Sequence, residues 1–374
     1  MMGPFLETLI GGLLTGVLYS LVALGFVLIF KASGVFNFAQ GAMVLFAALT
    51  IARLAGAIDN KEVFLGQFVA AAAVLGVALA LVGWYVWREY VARGGGGEER
   101  RRMLLLSLLG AVAGGAAAYA YGKGSWPMWL AIAATAAIMG LLAYGIERLV
   151  LRYLVNQEGI ILFMATLGIA YFLDGFGQTL WGSDIYKINL GLPKDPIFLF
   201  EGVFPGGLLV DPGDLVAAVI AAVLVIVLAL FFQKTRIGRA LRAVADDHAA
   251  AQSVGIPLNM IWLVVWTVSG LVALAAGLIW GAKLGVQFSI SLIALKALPV
   301  LILGGFTSVP GAIVGGLIIG AGEKLSEVFL APILVKQFDL AGGGIENWFA
   351  YMLALVFLLF RPQGLFGERI IERV

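Results

Sequence analysis

The sequence predicts an all-α, polytopic membrane protein, and two observations carry this prediction. Hydrophobic residues make up 62% of the 374 residues, charged residues only 12%, and the mean hydropathy is +1.03. Apolar runs of about 20 residues, the length of a helix that crosses the hydrocarbon core, recur along the chain. We therefore expect a membrane helix bundle with about ten spanning helices.

The predicted spans are bounded by charged, glycine or proline residues. Lys31 follows the first span, Arg88 the third, and Pro127 precedes the fifth. The segment 292–303 is only about 18 Å long if it is helical, so it forms either a half-helix or a tilted span inside the protein. The other expected spans cover about residues 5–30, 41–54, 64–87, 103–121, 128–150, 159–181, 214–232, 258–281, 311–330 and 345–360.

The loops between the spans predict the orientation of the chain. With the N-terminus outside, the loops on the inner side contain 15 Lys and Arg residues and the outer loops contain 6. Because cytoplasmic loops carry the excess of basic residues, we expect a periplasmic N-terminus and a cytoplasmic C-terminus. The longest loop, 182–213, contains four prolines, which exclude regular helix over most of it. This orientation makes it a periplasmic cap.

The stretch 233–257 is the longest polar, helix-prone segment of the sequence. It predicts one short helix over about 237–254, ended by Gly255 and Pro257. Such a helix is too polar to cross a membrane. It can anchor the loop to lipid headgroups or dock into a soluble partner, and we favour docking.

Strongly polar residues at membrane depth are costly and therefore informative. Asn37 could simply cap the next helix, and Asp174 could lie near the outer interface. Lys296 and Glu323 could form a buried ion pair that lines a path or only fixes helix register. The candidate translocation-pathway residues are Asn37, Gln40, Asp174, Lys296 and Glu323.

Glycines recur at intervals that let helix backbones approach closely, as at Gly12 and Gly16. For any single pair of glycines we favour ordinary helix packing. The high density of glycines near 304–322 also suggests a transport path whose helical walls slide past each other. The glycines expected to pack closely there are Gly304, Gly305, Gly311, Gly315 and Gly316.

Several function classes are excluded by residue content. The chain has no Cys and one His, so disulfides and thiol nucleophiles are absent. His248 beside Asp246 and Asp247 does not make a metal site, because adjacent carboxylates point to different helix faces. A phosphate-binding loop is missing, and the net charge of +2 is too small for nucleic acid. We expect neither an enzyme nor a bound cofactor.

Four motifs in a fixed order carry a family resemblance. They are 36–41 (FNFAQG), 237–256 (IGRALRAVADD and AAAQSVGI), 296–316 (KA and LGGFTSVPGAIVGG) and 361–367 (RPQGLFG). The chain resembles the permease subunit of branched-chain amino acid ABC importers, the LivH type, to which urea and amide permeases are related. Gln40 stands where many relatives carry His.

The resemblance implies eight core spans, so that 60–125 is an inserted helical hairpin within a single permease domain. It also implies three kinds of partner: a second permease subunit of the LivM type, two cytosolic ATPases that bind ATP and magnesium, and a periplasmic solute-binding protein. The expected location of this chain is the bacterial inner membrane. The small-molecule cargo would be an amino acid. The stretch 234–257 would be the coupling loop, with its helix docking on an ATPase through Arg239, Arg242, Asp246, Asp247, His248, Gln252 and Gly255.

A stand-alone secondary transporter or channel is the alternative. It is motivated by Asp174, Lys296 and Glu323 and by the short segment before Gly304, because discontinuous helices and intramembrane charges are typical of such proteins.

Overall fold

The structure is a computed structural model that describes residues 2–34, 36–56, 127–154, 157–190, 196–202, 207–246, 248–338 and 343–367. The predicted hairpin 60–125 lies outside these residues. The helices are α1 (Met2–Ser33), α2 (Gln40–Leu54), α3 (Met128–Leu149), α4 (Gly159–Trp181), α5 (Pro212–Lys234), α6 (Arg236–Asp246), α7 (His248–Ser253), α8 (Leu258–Leu284), α9 (Ile293–Lys296), α10 (Leu298–Gly304), α11 (Val309–Leu325), α12 (Ala331–Phe338) and α13 (Ile345–Phe360).

The described residues confirm an all-α membrane bundle. Five helices are long and apolar enough to cross a membrane, and one bent pair of helices passes the same test. The central helices are α1, α2 and α8, and α2 is buried on all sides from Gln40 to Ala52. On α5, by contrast, Val219, Val223 and Ile226 are exposed. A helix that is apolar all round but exposed on one side is expected where that side meets lipid.

Helices α1 and α11 pack backbone to backbone through glycines. A Cβ atom on Gly16 would lie 2.5 Å from the carbonyl oxygen of Gly316, and one on Gly320 would lie 2.4 Å from the Cα of Gly16. A Cβ atom on Gly12 would lie 2.8 Å from the Cα of Ala321 on α11. Small residues allow this approach, which brings many atoms of the two helices into van der Waals contact.

The short segment 292–303 belongs to a broken helix. The first arm of this broken helix, Phe288–Gly304, consists of a 3₁₀ turn (Phe288–Leu292), α9 and α10. It meets the second arm, Val309–Phe338, at a bend of 114°. Ser308 begins α11 by accepting a hydrogen bond from the Gly311 N–H at 3.0 Å, and Pro310 occupies the first turn. The run expected to end near residue 330 continues through a π-helical turn into α12.

The region between α4 and α5 has no helix in its described residues, as the prolines predict. Strands β1 (Ile197–Leu199) and β2 (Leu208–Val210) form an antiparallel pair. Tyr186 pairs with Val286, so this region is attached to the residues that follow α8. Lys283 on α8 forms an ion pair of 2.7 Å with Asp214 at the start of α5. Burial, with Asp184 nearby, raises the pKa of Tyr186, whose hydroxyl donates to the Trp181 carbonyl.

The polar stretch, expected to form a single helix over 237–254, is described as α6 and α7, which lie on either side of residue 247. Residue 247 lies outside the described residues. The end at Gly255 agrees with the sequence. Its φ of +84° and the bonds from the Gly255 and Ile256 N–H groups to Gln252 and Ala251 form a Schellman motif.

The glycine contact between α1 and α11 predicts a large difference between two neighbouring substitutions. Gly16→Val places side-chain atoms inside the α11 backbone and should lower the free energy of unfolding by about 1–3 kcal/mol or more. Gly11→Val is the control, since a Cβ at Gly11 meets nothing within 4 Å. Thermal unfolding of the detergent-solubilised chain measures both, and equal melting temperatures would contradict the packing.

Candidate functional site

The connection between α1 and α2 is held by Asn37, whose side chain is completely buried. Its Oδ1 accepts from the Ala39 N–H at 3.0 Å, and its Nδ2 donates to Gln40 Oε1 at 3.3 Å. The first bond satisfies a backbone donor just before α2, although Asn37 is not the N-cap residue itself. Asn37 therefore orders the turn into the central helix.

Gln40 joins three helices at the centre of the bundle. The Ser269 hydroxyl on α8 donates to Gln40 Oε1 at 2.5 Å, and Gln40 Nε2 donates to the Ser269 carbonyl at 3.4 Å. Gly25 on α1 leaves the space, because a Cβ there would lie 2.5 Å from Gln40 Nε2. Asn37 and Gln40 are thus satisfied inside the chain. Sequence reasoning missed Ser269, for which the signal was a polar residue inside an apolar run.

Lys296 and Glu323 are brought together between the two arms of the bent helix pair, 288–304 and 309–338. Lys296 Nζ lies 2.7 Å from Glu323 Oε1, and the Tyr19 hydroxyl donates to the same oxygen at 3.1 Å. The Tyr19 ring stacks on Trp280 with ring centroids 5.7 Å apart. Sequence reasoning predicted the ion pair as a possibility but missed Tyr19, since tyrosines are common in spanning helices.

Asp174 does not join this cluster. It lies on α4, which packs mainly on α2, and its side chain is half-buried. Its Oδ1 is buried without a hydrogen-bond partner among the described residues. The described contacts therefore group the candidate pathway residues as Asn37 with Gln40, Lys296 with Glu323, and Asp174 by itself.

Helix α6 is strongly amphipathic, and its apolar face is covered by the chain itself. Leu241 and Val244 are 1% and 0% exposed, and the helix packs on the ends of α1, α5 and α8. Arg239 and Asp246 are exposed on the opposite face. A helix that anchors a loop to the membrane surface would insert its apolar face into the lipid. The outward face of α6 is polar, which favours docking over lipid anchoring.

Arg242 attaches α6 to α5. Its Nη1 donates to the Phe232 carbonyl near the end of α5, where helix carbonyls lack partners within the helix. Gly238 allows this contact, because a Cβ there would lie 2.2 Å from the same oxygen. The Thr235 hydroxyl accepts from the Gly238 N–H at 3.0 Å. Arg242 was expected on the outward face with Arg239, but its guanidinium is an internal tie.

Helix α7 presents its end away from the bundle. Gln252 and Gly255 are exposed, and Val254 between them is 74% exposed. Asp247 lies outside the described residues, and the structure does not describe the His248 side chain. The exposed surface formed by Arg239, Asp246, Gln252, Val254 and Gly255 is called the α6–α7 surface below.

The turn between α10 and α11 is fixed by the C-terminal motif. The N–H groups of Leu365 and Phe366 donate to the carbonyls of Leu303 and Gly304 at 2.8 and 3.1 Å. These are end carbonyls of α10, which have no partner within their helix. Gly305 has a φ of +104° and lies against Gly367. The motif 361–367 thus supplies the hydrogen bonds that the end of α10 lacks within its own helix.

The predicted close-packing glycines all meet backbone atoms. A Cβ on Gly304 or on Gly311 would lie 2.1 Å from the carbonyl oxygen of the other, and one on Gly315 would lie 2.6 Å from the Val300 carbonyl oxygen. Gly316 lies against Gly16. Among the residues that the structure describes, no group of three or more His, Cys, Asp and Glu side chains is placed to hold a metal ion.

Comparison with known protein families places these elements in context. The model of the family described as "Branched-chain amino acid transport system / permease component" matches residues 103–361, which is more than half of the chain. The chain belongs to this family. The match includes both helices of the α6–α7 surface and the broken helix at 288–304.

Three relatives show how far the similarity to this permease family extends. A high-affinity branched-chain amino acid transport system permease protein of Pseudomonas aeruginosa, BraD, is 25% identical over 99% of this chain and 98% of its own. LivH of Escherichia coli K12 is 28% identical over 66% of this chain and 78% of its own. A probable LivH of Methanocaldococcus jannaschii is 30% identical over 62% and 71%. The chain is a multi-pass membrane permease.

Because Arg242 ties α6 to α5, we expect its replacement to reduce the protection of α6 amides from hydrogen exchange in this permease. In Arg242→Gln, the α5 end carbonyl loses a charge-assisted bond of about 1.5–3 kcal/mol. Amides of residues 236–246 should then exchange hydrogen faster, while amides of α8 should not change. Arg239→Gln, which removes an exposed Arg of the same helix, should leave exchange unaltered. The same exchange rates in both variants would contradict the tie.

Proposed function

We propose that this chain is the membrane-spanning subunit of an ABC importer that moves branched-chain or other small aliphatic amino acids into the cell. The observation that carries the proposal is the alignment with BraD over 99% of this chain and 98% of BraD, together with the family match. The names of the relatives support the cargo class. The membership of the family supports a transport role instead of catalysis.

The proposal requires partner chains, which the sequence and the site geometry support. The sequence lacks a phosphate-binding loop, so ATP and magnesium would bind to two separate cytosolic ATPases. A second permease subunit of the LivM type and a periplasmic solute-binding protein would complete the importer. The excess of Lys and Arg in alternate loops supports a bacterial inner-membrane location with a periplasmic N-terminus and a cytoplasmic C-terminus.

The α6–α7 surface is the element that would receive force. Because α6 is attached to the end of α5 through Arg242 and Gly238, a push on the outward face is transmitted to a spanning helix. Because α7 ends in a Schellman motif just before α8, the same surface is joined to a second span. Closure of the ATPases would then shift α5 and α8 together and alternate access.

A stand-alone secondary transporter is the second candidate. The broken helix with its 114° bend and the Lys296–Glu323 ion pair between its two arms favour it, since such features occur at transporter binding sites. Proteoliposomes that contain only this chain separate the two candidates. Uptake driven by an ion gradient would support the second candidate, and uptake that requires the co-purified ATPases and ATP supports the first.

Charge reversal on the α6–α7 surface should uncouple the importer. In the reconstituted complex, Arg239→Glu should lower amino-acid uptake and substrate-stimulated ATPase activity at least about tenfold, which is about 1.4 kcal/mol of coupling. The reason is that it places a negative charge in the docking face without changing the buried face of α6.

Lys187→Glu is the matched control, because Lys187 is exposed at the opposite end of the bundle and should leave both activities within about twofold. Membrane insertion of both variants is checked by their yield in the solubilised fraction. Normal uptake by Arg239→Glu would refute the role of this surface.

A further inference from the structure

The Lys296–Glu323 ion pair is asymmetric in its exposure. The Glu323 side chain is 7% exposed, whereas the Lys296 side chain is 37% exposed. Glu323 Oε1 is fixed from two sides, by Lys296 Nζ at 2.7 Å and by the Tyr19 hydroxyl at 3.1 Å. A Lys ammonium has three N–H donors, and among the described residues one of them has a partner, Glu323. The ammonium therefore has donors left for a ligand.

A charged side chain on an apolar helix needs polar surroundings. Lys296 lies near the middle of the segment Phe288–Gly304, and Glu323 lies near the middle of Val309–Phe338, the two arms of the bent pair. A charged Lys side chain that is 37% exposed on an apolar helix is costly in hydrocarbon, so such a side chain is found facing a polar cavity or another protein chain. The exposed side of Lys296 thus meets a space that admits polar groups.

Two exposed leucines lie close to Lys296 in the sequence. Leu292 and Leu295, which precede Lys296 by four residues and by one residue, are 58% and 43% exposed. Pro299 and Val300, which follow Lys296 by three and four residues, are buried. A fixed cation beside exposed leucine side chains is complementary to a small molecule with a carboxylate at one end and a branched aliphatic group at the other.

We propose that Lys296 binds the carboxylate of an aliphatic amino acid during its passage, with Leu292 and Leu295 contacting the aliphatic side chain. This inference rests on the proposed function. Glu323 and Tyr19 act as positioning residues, because they hold the ammonium in place and cancel its charge when no cargo is bound. A neutral pair opposite a zwitterion keeps the net charge of the site at zero before and after binding, which limits the desolvation cost.

Competition binding tests which end of the cargo is recognised. Radiolabelled leucine is bound to the purified, detergent-solubilised importer without its solute-binding protein. Isocaproate keeps the carboxylate and the aliphatic group, and leucinamide keeps the aliphatic group and the amine but lacks the carboxylate. Isocaproate should displace leucine at least about tenfold better than leucinamide. Equal competition by the two would overturn the proposal.

Variants of the pair separate a binding role from a purely structural one. Lys296→Met with Glu323→Gln removes both charges without leaving one buried alone, and leucine uptake by the full importer should fall at least about tenfold. Lys296→Arg keeps the cation and should retain most uptake. The reversed pair, Lys296→Glu with Glu323→Lys, keeps an ion pair but removes the exposed cation, so uptake should stay low. Restored uptake in the reversed pair would show a structural tie only and overturn the proposal.

A neighbouring ion pair provides the control. Lys324 and Glu327 are also 2.7 Å apart and are about equally exposed, and Lys324→Met should leave uptake within about twofold. Failure of the proposed function is recognised separately, because the unaltered importer would then neither bind nor take up leucine. If the unaltered importer takes up leucine and the doubly neutral variant does so equally well, only the inference about Lys296 fails.

Discussion

Several polar groups inside this bundle find their partners within the chain, because lipid offers none. Gln40 meets Ser269, Glu323 meets Lys296 and Tyr19, and the end carbonyls of α10 meet the N–H groups of residues 365 and 366. Each partner comes from a distant part of the sequence, so these bonds determine which helices are neighbours. The broken helix at 288–304 is possible only because the C-terminal motif satisfies its end.

Glycine sets how closely the helices can approach. Between apolar helices in lipid there is no hydrophobic gain on association, so van der Waals contact between backbones has to hold them together. The contacts of Gly16 with Gly316, and of Gly304 with Gly311, place α11 against both α1 and α10. Glu323 on α11 can therefore reach Lys296 and Tyr19, and the charged pair depends on the glycine packing.

The sequence predicted much of this architecture because its signals are local. Lipid-length apolar runs gave the helices, and Gly255 gave the end of the polar stretch. Which side chains contact each other across the bundle could not be predicted from the sequence alone. Arg239 and Arg242 are one turn apart and alike in sequence, yet one faces outward and the other caps α5, because the space beside Gly238 admits the guanidinium. Asn37 bonds only to the neighbouring residues 39 and 40, whereas Gln40 also bonds to Ser269, a distant partner that the sequence alone does not indicate.

The account depends most on the α6–α7 surface docking on a separate ATPase. The chain has no cysteine, so Val254→Cys introduces a single reactive thiol at the most exposed apolar side chain of this surface. We expect a bifunctional thiol reagent to cross-link this position to the ATPase subunit in the assembled importer, with a yield that changes between nucleotide-free and ATP-bound states. Labelling of the thiol from the periplasmic side, or no cross-link to the ATPase in either state, would contradict the account.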